Sequence, residues 1–326
     1  MAQHEFIHGL QRLQIRHRGC VATIGSFDGV HRGHQVILQQ VLDKAKEMHL
    51  PSLAIVFEPQ PAEFFSSQTV PVRIMRLRDK ISALFELGIE RVLCLKFNRQ
   101  LCSLSSDEFI DRVLVDGIGV KHLVIGDDFR FGSDRGGDFA LLRKAGVQHG
   151  FSICDTRTET DDGDRISSTR IRQLFEQDRL KETEKLLGRA FAITGRVIYG
   201  KQLGRTLGFP TVNIALGRYR CPVQGVYAVE VYWVDMPDRP AFQGVSNVGV
   251  RPTIDGGAKP VLEVHLFDTD QQLYGKMLRV VFRKKLRQEM RFESLDSLTA
   301  QIQRDVILAR ASFEGRAETN NMAVKT

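Results

Sequence analysis

The stretch GSFDGVHRGH, residues 25–34, decides the fold of the first half of the chain. It follows a short apolar run at residues 20–24 and precedes residues 36–48, whose apolar side chains recur at helical spacing. Glycines at such a junction let the backbone approach a ligand closely, and a helix N-terminus presents unpaired N–H groups to a phosphate. The stretch therefore predicts a phosphate-binding turn between the first strand and the first helix of an α/β domain.

Further apolar runs alternate with helical patterns as far as residue 176. Strands are predicted at residues 53–57, 91–97, 122–125 and 151–155, and helices at residues 78–87, 106–115, 139–145 and 168–176. Strands that are apolar throughout are typical of a parallel sheet covered by helices on both faces. Residues 1–187 are therefore predicted to form a Rossmann-like α/β domain.

The pattern changes near residues 187–192. Strands are predicted at residues 191–199, 225–234, 241–248, 261–267 and 277–286, separated by Gly, Pro and Asp turns. Several of them alternate in polarity, which indicates an antiparallel sheet or a small β-barrel. One amphipathic helix at residues 297–313 is expected to close this second domain, residues 188–313, and residues 314–326 form a polar tail.

The composition is that of two soluble globular domains. The chain has 326 residues, of which 42% are hydrophobic and 26% are charged. Its five cysteines are scattered and include no C-x-x-C pair, which favours reduced thiols over a disulfide framework or a zinc site. No apolar run is long enough for a signal peptide or a membrane span. The expected location is the cytoplasm, with no membrane partner.

The net charge of +7 is carried by the second domain and the tail. Residues 1–187 contain 26 basic and 26 acidic residues, whereas residues 188–326 contain 20 basic and 13 acidic residues. A basic half suggests an anionic partner, such as a nucleotide or a nucleic acid. A basic surface without any such partner explains the charge equally well, so both interpretations stay open at this point.

Two histidines lie at the end of the glycine-rich turn, at an interval of three residues. His31 and His34 share one face of a helix at this spacing. Two imidazoles beside a bound phosphate could hold the oxygens of a phosphoryl group during its transfer. The alternative is a helix cap with two surface histidines, but the position of the pair, in a glycine-rich turn directly after a strand, favours the functional interpretation.

Residues 25–34 resemble the signature of the nucleotidylyltransferase superfamily, and specifically that of the prokaryotic FAD synthetase module. Three further stretches are similar to this module and occur in the expected order: FEPQP at residues 57–61, GDDFRFG at residues 126–132 and RISSTRIR at residues 165–172. The last resembles the I-S-S-T-x-I-R motif, which contacts the phosphates of ATP. Gln60 departs from the pattern, because many relatives carry His between the two prolines.

The resemblance implies direct displacement, in which the phosphate of FMN attacks the α-phosphorus of ATP and pyrophosphate leaves. Such a reaction depends on positioning and charge stabilisation. The implied catalytic residues are His31 and His34. The residues implied in ATP binding are Gly25, Phe27, Asp28, Gly29, His31, Gly33, His34, Arg165, Ser168 and Thr169. Those implied in contact with flavin or adenine are Gly126, Asp127, Phe129 and Phe131, although both phenylalanines serve equally well as core anchors.

A second glycine-rich and basic stretch, GKQLGRTLGFPTVN, occupies residues 200–213. It lacks the G-K-[ST] ending of a Walker A loop. It resembles the riboflavin kinase signature, in which the P-T-x-N segment binds a metal ion, and Val212 stands where a small residue is usual. The resemblance implies Mg²⁺ binding by Thr211 and Asn213 on one face of a strand. The residues implied in ATP binding are Gly200, Lys201, Gly204, Thr211 and Asn213.

The resemblance continues through residues 225–228, 246–253, 263–268 and 286–292. In this family the Glu of the E-x-H-x-x-D stretch is the general base, and it corresponds to Glu263. Arg287 and Glu289 are implied to frame the flavin ring. Without the resemblance, Glu263 is better explained as an exposed strand residue. His265 lies on the same face of the strand and is open to a purely structural explanation.

Together the two motif sets predict a prokaryotic bifunctional riboflavin kinase/FAD synthetase, which converts riboflavin to FMN and FMN to FAD with ATP and Mg²⁺. One alternative is a single-activity nucleotidylyltransferase with a noncatalytic basic β domain, and residues 210–213 and Glu263 argue against it. Another is a nucleic-acid-binding barrel, which would need aromatic residues interleaved with basic ones. The basic cluster at residues 283–285 has no clear aromatic platform beside it, so no nucleic-acid partner is expected. The oligomeric state stays open.

Overall fold

The computed structural model describes residues 4–66, 70–156, 159–200, 204, 207–217, 220–252, 258–269 and 271–323. The chain folds into two compact units. The first comprises Met1–Pro71 and Met75–Arg170, and the second comprises Val72–Ile74 and Ile171–Thr326. The predicted boundary of the two activities, between residues 187 and 188, stays a prediction.

A six-stranded parallel sheet forms the centre of the first unit. Its strands are β1 (Glu5–His8), β2 (Cys20–Ile24), β3 (Ser52–Glu58), β4 (Arg91–Lys96), β5 (Val120–Gly126) and β6 (Ser152–Thr156). Their order across the sheet is β1-β4-β3-β2-β5-β6, and all pairs are parallel. Along β2, Ala22 packs into a hydrophobic cluster on one face and Val21 into a second cluster on the other. Both faces are therefore covered, which explains why these strands are apolar throughout.

The connections of the first unit are mainly helical. The helices are α1 (Arg32–Met48), α2 (Pro61–Phe65), α3 (Leu77–Glu86), α4 (Arg99–Cys102), α5 (Ser106–Phe109) and α6 (Phe139–His149), and α5 continues as a π-helical segment, Ile110–Val115. A short hairpin of β7 (Thr160–Asp161) and β8 (Asp164–Arg165) follows the sheet. Helix α7 (Ser168–Glu176) then begins in the first unit and ends in the second.

The second unit is a closed six-stranded antiparallel barrel. Its strands are β9 (Ala192–Ile198), β10 (Thr211–Ile214), β11 (Gly225–Trp233), β12 (Phe242–Pro252), β13 (Ala258–Leu266) and β14 (Met277–Arg287). They close in the order β10-β13-β12-β11-β14-β9. Helix α8 (Leu180–Leu187) precedes the barrel, and helix α9 (Leu295–Ala323) follows it. Ala309 and Phe313 of α9 pack against Val226, Val245 and Phe267.

The predicted fold class is confirmed: a Rossmann-like parallel sheet with helices, then an antiparallel barrel with a closing helix. The sequence analysis missed β1, in which only Ile7 is buried, because a single buried side chain leaves no periodic signal. It also missed α8 and the two short helices α2 and α4. Helix α9 starts two residues before its predicted start and continues to Ala323, into the predicted polar tail.

Across the described residues, no helix is both long enough and apolar enough to cross a lipid bilayer.

Candidate functional sites

The glycine-rich turn between β2 and α1 has an unusual backbone. Phe27, Gly29 and Val30 adopt φ angles of 45°, 84° and 42°. Positive φ is costly for a phenylalanine and more so for a β-branched valine, so the surrounding structure must hold this conformation. Asp28, which is buried, provides two such contacts: its Oδ1 accepts from the Met75 N–H (3.1 Å) and its carbonyl oxygen accepts from the Ser168 hydroxyl (2.9 Å).

His31 and His34 are brought together at the start of α1. His31 is the N-cap residue, and its Nδ1 accepts from the backbone N–H of His34 (3.3 Å). The two rings are stacked, with centroids 3.6 Å apart, and the ring of Phe27 meets His34 edge-on at 5.2 Å. Because Nδ1 of His31 accepts a hydrogen bond, the proton of a neutral imidazole lies on Nε2. The pair thus forms one rigid group at the helix N-terminus.

A cavity of about 280 Å³ opens beside this pair, at the carboxyl ends of the strands. The chain leaves β2 toward β3 on one side of the sheet and later returns to place β5 on the other side, so β2 and β5 meet at a topological switch point. Ligands of open α/β sheets bind at this point. The lining consists of Ile24, Gly25, Ser26, Phe27, His31, Gly33, His34, Ile37, Gly126, Asp127, Asp128, Phe129, Thr156, Glu159, Arg165, Ile166, Ser167 and Ser168.

One basic side chain lies among acidic ones at this cavity. The Arg165 guanidinium donates to Asp128 Oδ2 (2.6 Å) and lies 3.9 Å from Asp127 Oδ1. Arg165 and Asp128 are about half-exposed or more, so this pair can exchange its partners for a ligand at little cost. The sequence analysis gave no role to Asp128, Thr156 or Ser167, although Asp128 and Ser167 lie within the quoted stretches at residues 126–132 and 165–172.

The predicted phosphate and flavin residues of this half are not all at the cavity. Thr169 is exposed and does not line it, and the Ser168 hydroxyl is already used by Asp28. Phe129 lines the cavity, whereas Phe131 is buried and packs between Phe129 and Phe109, with centroids 5.6 Å from each. Phe131 is therefore a core residue, whereas Phe129 both lines the cavity and packs against the core, and its contact with flavin or adenine stays a prediction.

In the barrel, three neighbouring strands bring polar residues into one row. Asn213 of β10 lies opposite Glu263 of β13, and Glu263 in turn lies opposite Asn247 of β12. Thr211 lies opposite His265 in the next row of the same face. The prediction that Thr211 and Asn213 share one face of a strand is confirmed. Both lie on the same face of the sheet as Glu263 and His265.

A cavity of about 220 Å³ lies between this face and helix α9. Many of its walls are apolar side chains, and a few charged or amide groups converge on it. The lining consists of Gly204, Leu207, Phe209, Thr211, Val226, Val245, Asn247, Glu263, His265, Arg287, Glu289, Met290, Phe292, Leu298, Ile302 and Asp305. An apolar cavity with few convergent polar groups is typical of a site for a largely apolar small molecule.

The charged residues of this cavity are fixed by neighbours. Arg287 makes a bidentate pair with the buried Asp305 of α9, and Asn247 Nδ2 donates to Glu289 Oε1 (3.2 Å). A Cβ on Gly249 would overlap the Glu289 carboxylate, so the glycine leaves room for the carboxylate to lie in this position. Asp305 was not predicted. It lies sixteen residues beyond Glu289, in a segment whose only recognisable sequence pattern is that of an amphipathic helix.

The second glycine-rich stretch contacts the predicted metal-binding residues. A Cβ on Gly200 would overlap the Asn213 amide, and the Gly204 carbonyl accepts from the Phe209 N–H (2.8 Å). Asn213 is 9% exposed and borders the cavity without lining it. The predicted ATP-binding residue Lys201 lies outside the described residues.

The cysteines do not line either cavity in the part of the chain that the structure describes. Burial raises the pKa of the Cys20 thiol to about 12 and that of Cys94 to about 11. Thiols with such pKa values are inert, which is typical of structural cysteines.

Comparison with protein-family models gives two matches along the chain. An FAD synthetase model matches residues 13–170, and a riboflavin kinase model matches residues 187–313. The FAD synthetase model covers the residues that line the first cavity, and the riboflavin kinase model covers those that line the second.

Curated relatives match almost the whole chain. A bifunctional riboflavin kinase/FMN adenylyltransferase of Pseudomonas fluorescens is 51% identical and covers 94% of this chain and 97% of its own length. The protein of the same description from Escherichia coli K12 is 49% identical, with 95% and 98% covered. A crystal structure described as a macrolide-efflux protein of Streptococcus pneumoniae is 29% identical, covers 94% of this chain and 98% of its own, and has a TM-score of 0.79.

The α/β sheet and the β-barrel each carry a cavity, and the family models and relatives assign a transferase activity to each of these two domains. The chain belongs to the family of bifunctional riboflavin kinase/FMN adenylyltransferases. It is a riboflavin kinase and an FMN adenylyltransferase, with the FAD synthetase domain N-terminal and the riboflavin kinase domain C-terminal. It therefore makes FMN and FAD, and the single-activity and nucleic-acid-binding alternatives are set aside.

Proposed function

We propose that both activities use ATP and that each cavity is the active site of its own domain, with residues 1–187 forming the adenylyltransferase domain and residues 188–313 the kinase domain. In the first cavity, a phosphate oxygen of FMN attacks the α-phosphorus of ATP. The new P–O bond joins FMN to AMP, the bond between the α- and β-phosphates breaks, and pyrophosphate leaves with the electron pair. Positioning and charge stabilisation are sufficient for such a displacement.

The stacked histidines carry this proposal for the first cavity. The Nε2–H of His31 points away from its hydrogen bond with His34 and would donate to an α-phosphate oxygen. The N-terminal N–H groups of α1, a helix of 17 residues, add positive potential at the same place. Arg165 would exchange Asp128 for the departing pyrophosphate.

In the second cavity, the 5′-hydroxyl of the ribityl chain attacks the γ-phosphorus of ATP. A new P–O bond forms FMN, the bond between the β- and γ-phosphates breaks, and ADP leaves. Glu263 takes the hydroxyl proton, in keeping with its place in the centre of the polar row. The apolar walls, with Arg287 and Glu289 at their polar end, would enclose the isoalloxazine ring.

Thr211 and Asn213 fit the binding of Mg²⁺. Both offer neutral oxygen atoms on one face of β10, and Gly200 leaves room for close approach to the Asn213 amide. Mg²⁺ prefers a few protein oxygens supplemented by phosphates and water. When bound, it would neutralise the charge of the transferred phosphoryl group.

The proposed substrates are thus riboflavin, FMN and ATP, with no nucleic acid or membrane partner. A cytoplasmic location is supported by the five cysteines, which are all free thiols.

The observation that carries the proposal is the presence of two separate cavities, each containing the catalytic residues implied by one family signature. The test is to supply the full chain with riboflavin, Mg²⁺ and ATP labelled with ³²P at either the γ- or the α-position, and to separate the flavins by chromatography. The γ-label should appear in FMN and the α-label only in FAD. Label from the α-position in FMN would contradict the kinase assignment.

The role of Mg²⁺ is tested by Thr211→Ala with Asn213→Ala. The double variant should need more Mg²⁺ and more ATP for FMN formation, while adenylylation of supplied FMN keeps its normal requirement. An unchanged Mg²⁺ requirement of the kinase step would contradict the assignment.

A further inference from the structure

Helix α9 holds one side chain of the barrel cavity in a fixed plane. Arg287 Nε donates to Asp305 Oδ1 (2.9 Å) and Oδ2 (3.1 Å), and its Nη2 donates to Oδ2 (2.7 Å). Its Nη1 donates to the carbonyl oxygen of Gln288 (2.9 Å). The guanidinium also lies over the ring of Phe292, 5.8 Å from the centroid. Gln301 of α9 donates to Asp305 Oδ1 (2.9 Å) and so orients the carboxylate itself.

Burial distinguishes this ion pair from another pair that α9 makes with the barrel. The side chain of Asp305 is 2% exposed and that of Arg287 is 18% exposed. In the pair of Asp268 with Arg310 the exposed fractions are 74% and 44%. Removing one partner of a buried pair leaves an uncompensated charge, whereas an exposed pair contributes little. The Arg287 guanidinium is therefore held strongly, and it cannot turn away without leaving Asp305 short of donors.

The arrangement leaves few donors for a ligand. A guanidinium has five N–H groups, of which Arg287 uses the one on Nε, one on Nη1 and one on Nη2. Within the described part of the chain, two N–H groups remain, in fixed directions, in a cavity that Arg287 and Asp305 both line. Since Asp305 balances the charge of Arg287, the cavity offers hydrogen-bond donors with little net positive charge. Such donors suit the carbonyl oxygens of an uncharged planar ring.

We propose that Asp305 is a positioning residue for the riboflavin kinase reaction, which sets the affinity for riboflavin by fixing the plane of the Arg287 guanidinium. The inference rests on the proposed function, in which Arg287 contacts the flavin. Asp305 itself makes no hydrogen bond to the flavin and takes no part in phosphoryl transfer. Helix α9 is then part of the substrate site, and its role is to hold the arginine rather than only to cover the barrel.

The test compares Asp305→Asn with Asp268→Asn in the full chain. Both make the same chemical change in an Asp–Arg pair between the barrel unit and α9, one buried and one exposed. KM and kcat for riboflavin are measured at saturating ATP and Mg²⁺. An unchanged kcat reports an intact barrel, and adenylylation of supplied FMN reports an intact α/β domain. Asp305→Asn should raise KM for riboflavin by about 10- to 100-fold, with kcat and adenylylation changed less than about threefold. Asp268→Asn should leave both activities within about twofold.

A double-mutant cycle separates this inference from the proposed role of Arg287. If Asp305 acts through Arg287, then Asp305→Asn should add less than about twofold to KM in an Arg287→Ala chain. An Arg287→Ala variant with raised KM beside an Asp305→Asn variant with normal KM would overturn the inference and leave the proposed function intact. A normal KM in Arg287→Ala would overturn both the inference and the proposed contact of Arg287 with the flavin.

If Asp305→Asn lowers kcat or adenylylation as strongly as it raises KM, the role of Asp305 is structural and the inference is wrong. Should Asp305→Asn fail to fold, Asp305→Glu takes its place, because it keeps the charge but displaces the carboxylate by one methylene. Its KM for riboflavin should rise severalfold with normal adenylylation, and an unchanged KM would again overturn the inference.

Discussion

The two cavities differ in which parts of the protein form them, mainly backbone in the α/β domain and mainly side chains in the barrel. The α/β cavity depends on backbone: a turn with three positive φ angles, a helix N-terminus and two histidines within four residues. The barrel cavity depends on side chains from five strands, β10 to β14, the segment after β14 and helix α9, and its polar residues are spread from Thr211 to Asp305. In the first type of site the glycine-rich turn is local in sequence and suits a phosphate, which backbone N–H groups bind, and residues between Gly126 and Ser168 complete the cavity. The second is assembled from distant residues and suits a flat ring.

The largest expected effect is the loss of riboflavin phosphorylation when a single side chain is removed. Glu263→Ala should lower riboflavin phosphorylation by about 10²- to 10⁴-fold, because the general base for the ribityl hydroxyl is removed. Adenylylation of supplied FMN should stay normal, since Glu263 lies in the barrel. Chromatography of the flavins measures both steps in one preparation. Near-normal FMN formation would remove Glu263 from the catalytic role.

The reciprocal experiment removes the histidine pair. His31→Ala with His34→Ala should lower FAD formation by about 10²- to 10³-fold, because donors at the transferring phosphoryl group are lost. The double variant should convert riboflavin to FMN at the normal rate and accumulate it. The same chromatographic assay serves as the measurement, with the kinase step as the control for the barrel domain and for the amount of enzyme. FAD formation at the normal rate would show that the pair is only a structural cap.

A glycine-to-alanine substitution at each cavity tests how strongly each site depends on the position of a neighbouring carboxylate. In Gly249→Ala the new Cβ would overlap the Glu289 carboxylate, whose flexible end must move, whereas in Gly126→Ala it would lie 3.4 Å from Asp128 Oδ1. Gly249→Ala should raise KM for riboflavin by about fivefold, equivalent to about 1 kcal/mol. Gly126→Ala displaces no protein atom, so it should raise KM in the adenylyltransferase step by a smaller factor, although Gly126 lines the cavity. Equal effects in steady-state kinetics would contradict the expected dependence of the barrel site on the position of Glu289.

The smallest expected effect is a pH dependence of stability confined to the α/β half. The pKa of His122 is lowered from 6.5, mainly by burial and then by Lys44. The unfolded chain therefore binds a proton more readily than the folded one, and the fold loses stability as the pH falls below about 6.5. The midpoint of thermal unfolding should fall between pH 7.5 and 5.5. His122→Gln should reduce this fall and His149→Gln, at a more exposed position, should not.

The sequence analysis was most accurate where the residues of a functional motif are neighbours in the chain. The turn at residues 25–34 predicted a strand, a phosphate-binding turn and a helix, and the structure has them in this order. The strands of the barrel were predicted from their alternation to within a few residues, with β10 indicated by its P-T-x-N motif. Edge strand β1 was missed, since a single buried side chain carries no periodicity. Helix α8 was missed although three of its eight side chains are buried.

By itself the sequence determined the two fold classes, their order and the family signatures, because periodicity and turn residues are properties of neighbouring positions. Only the tertiary structure decided which polar residues meet. It paired Arg287 with Asp305, separated Phe131 from the cavity that Phe129 lines, and joined Asn213, Glu263 and Asn247 in one row. The physical reason is that strand register and helix packing are set by the burial of many side chains at once, so contacts between distant residues leave no local pattern.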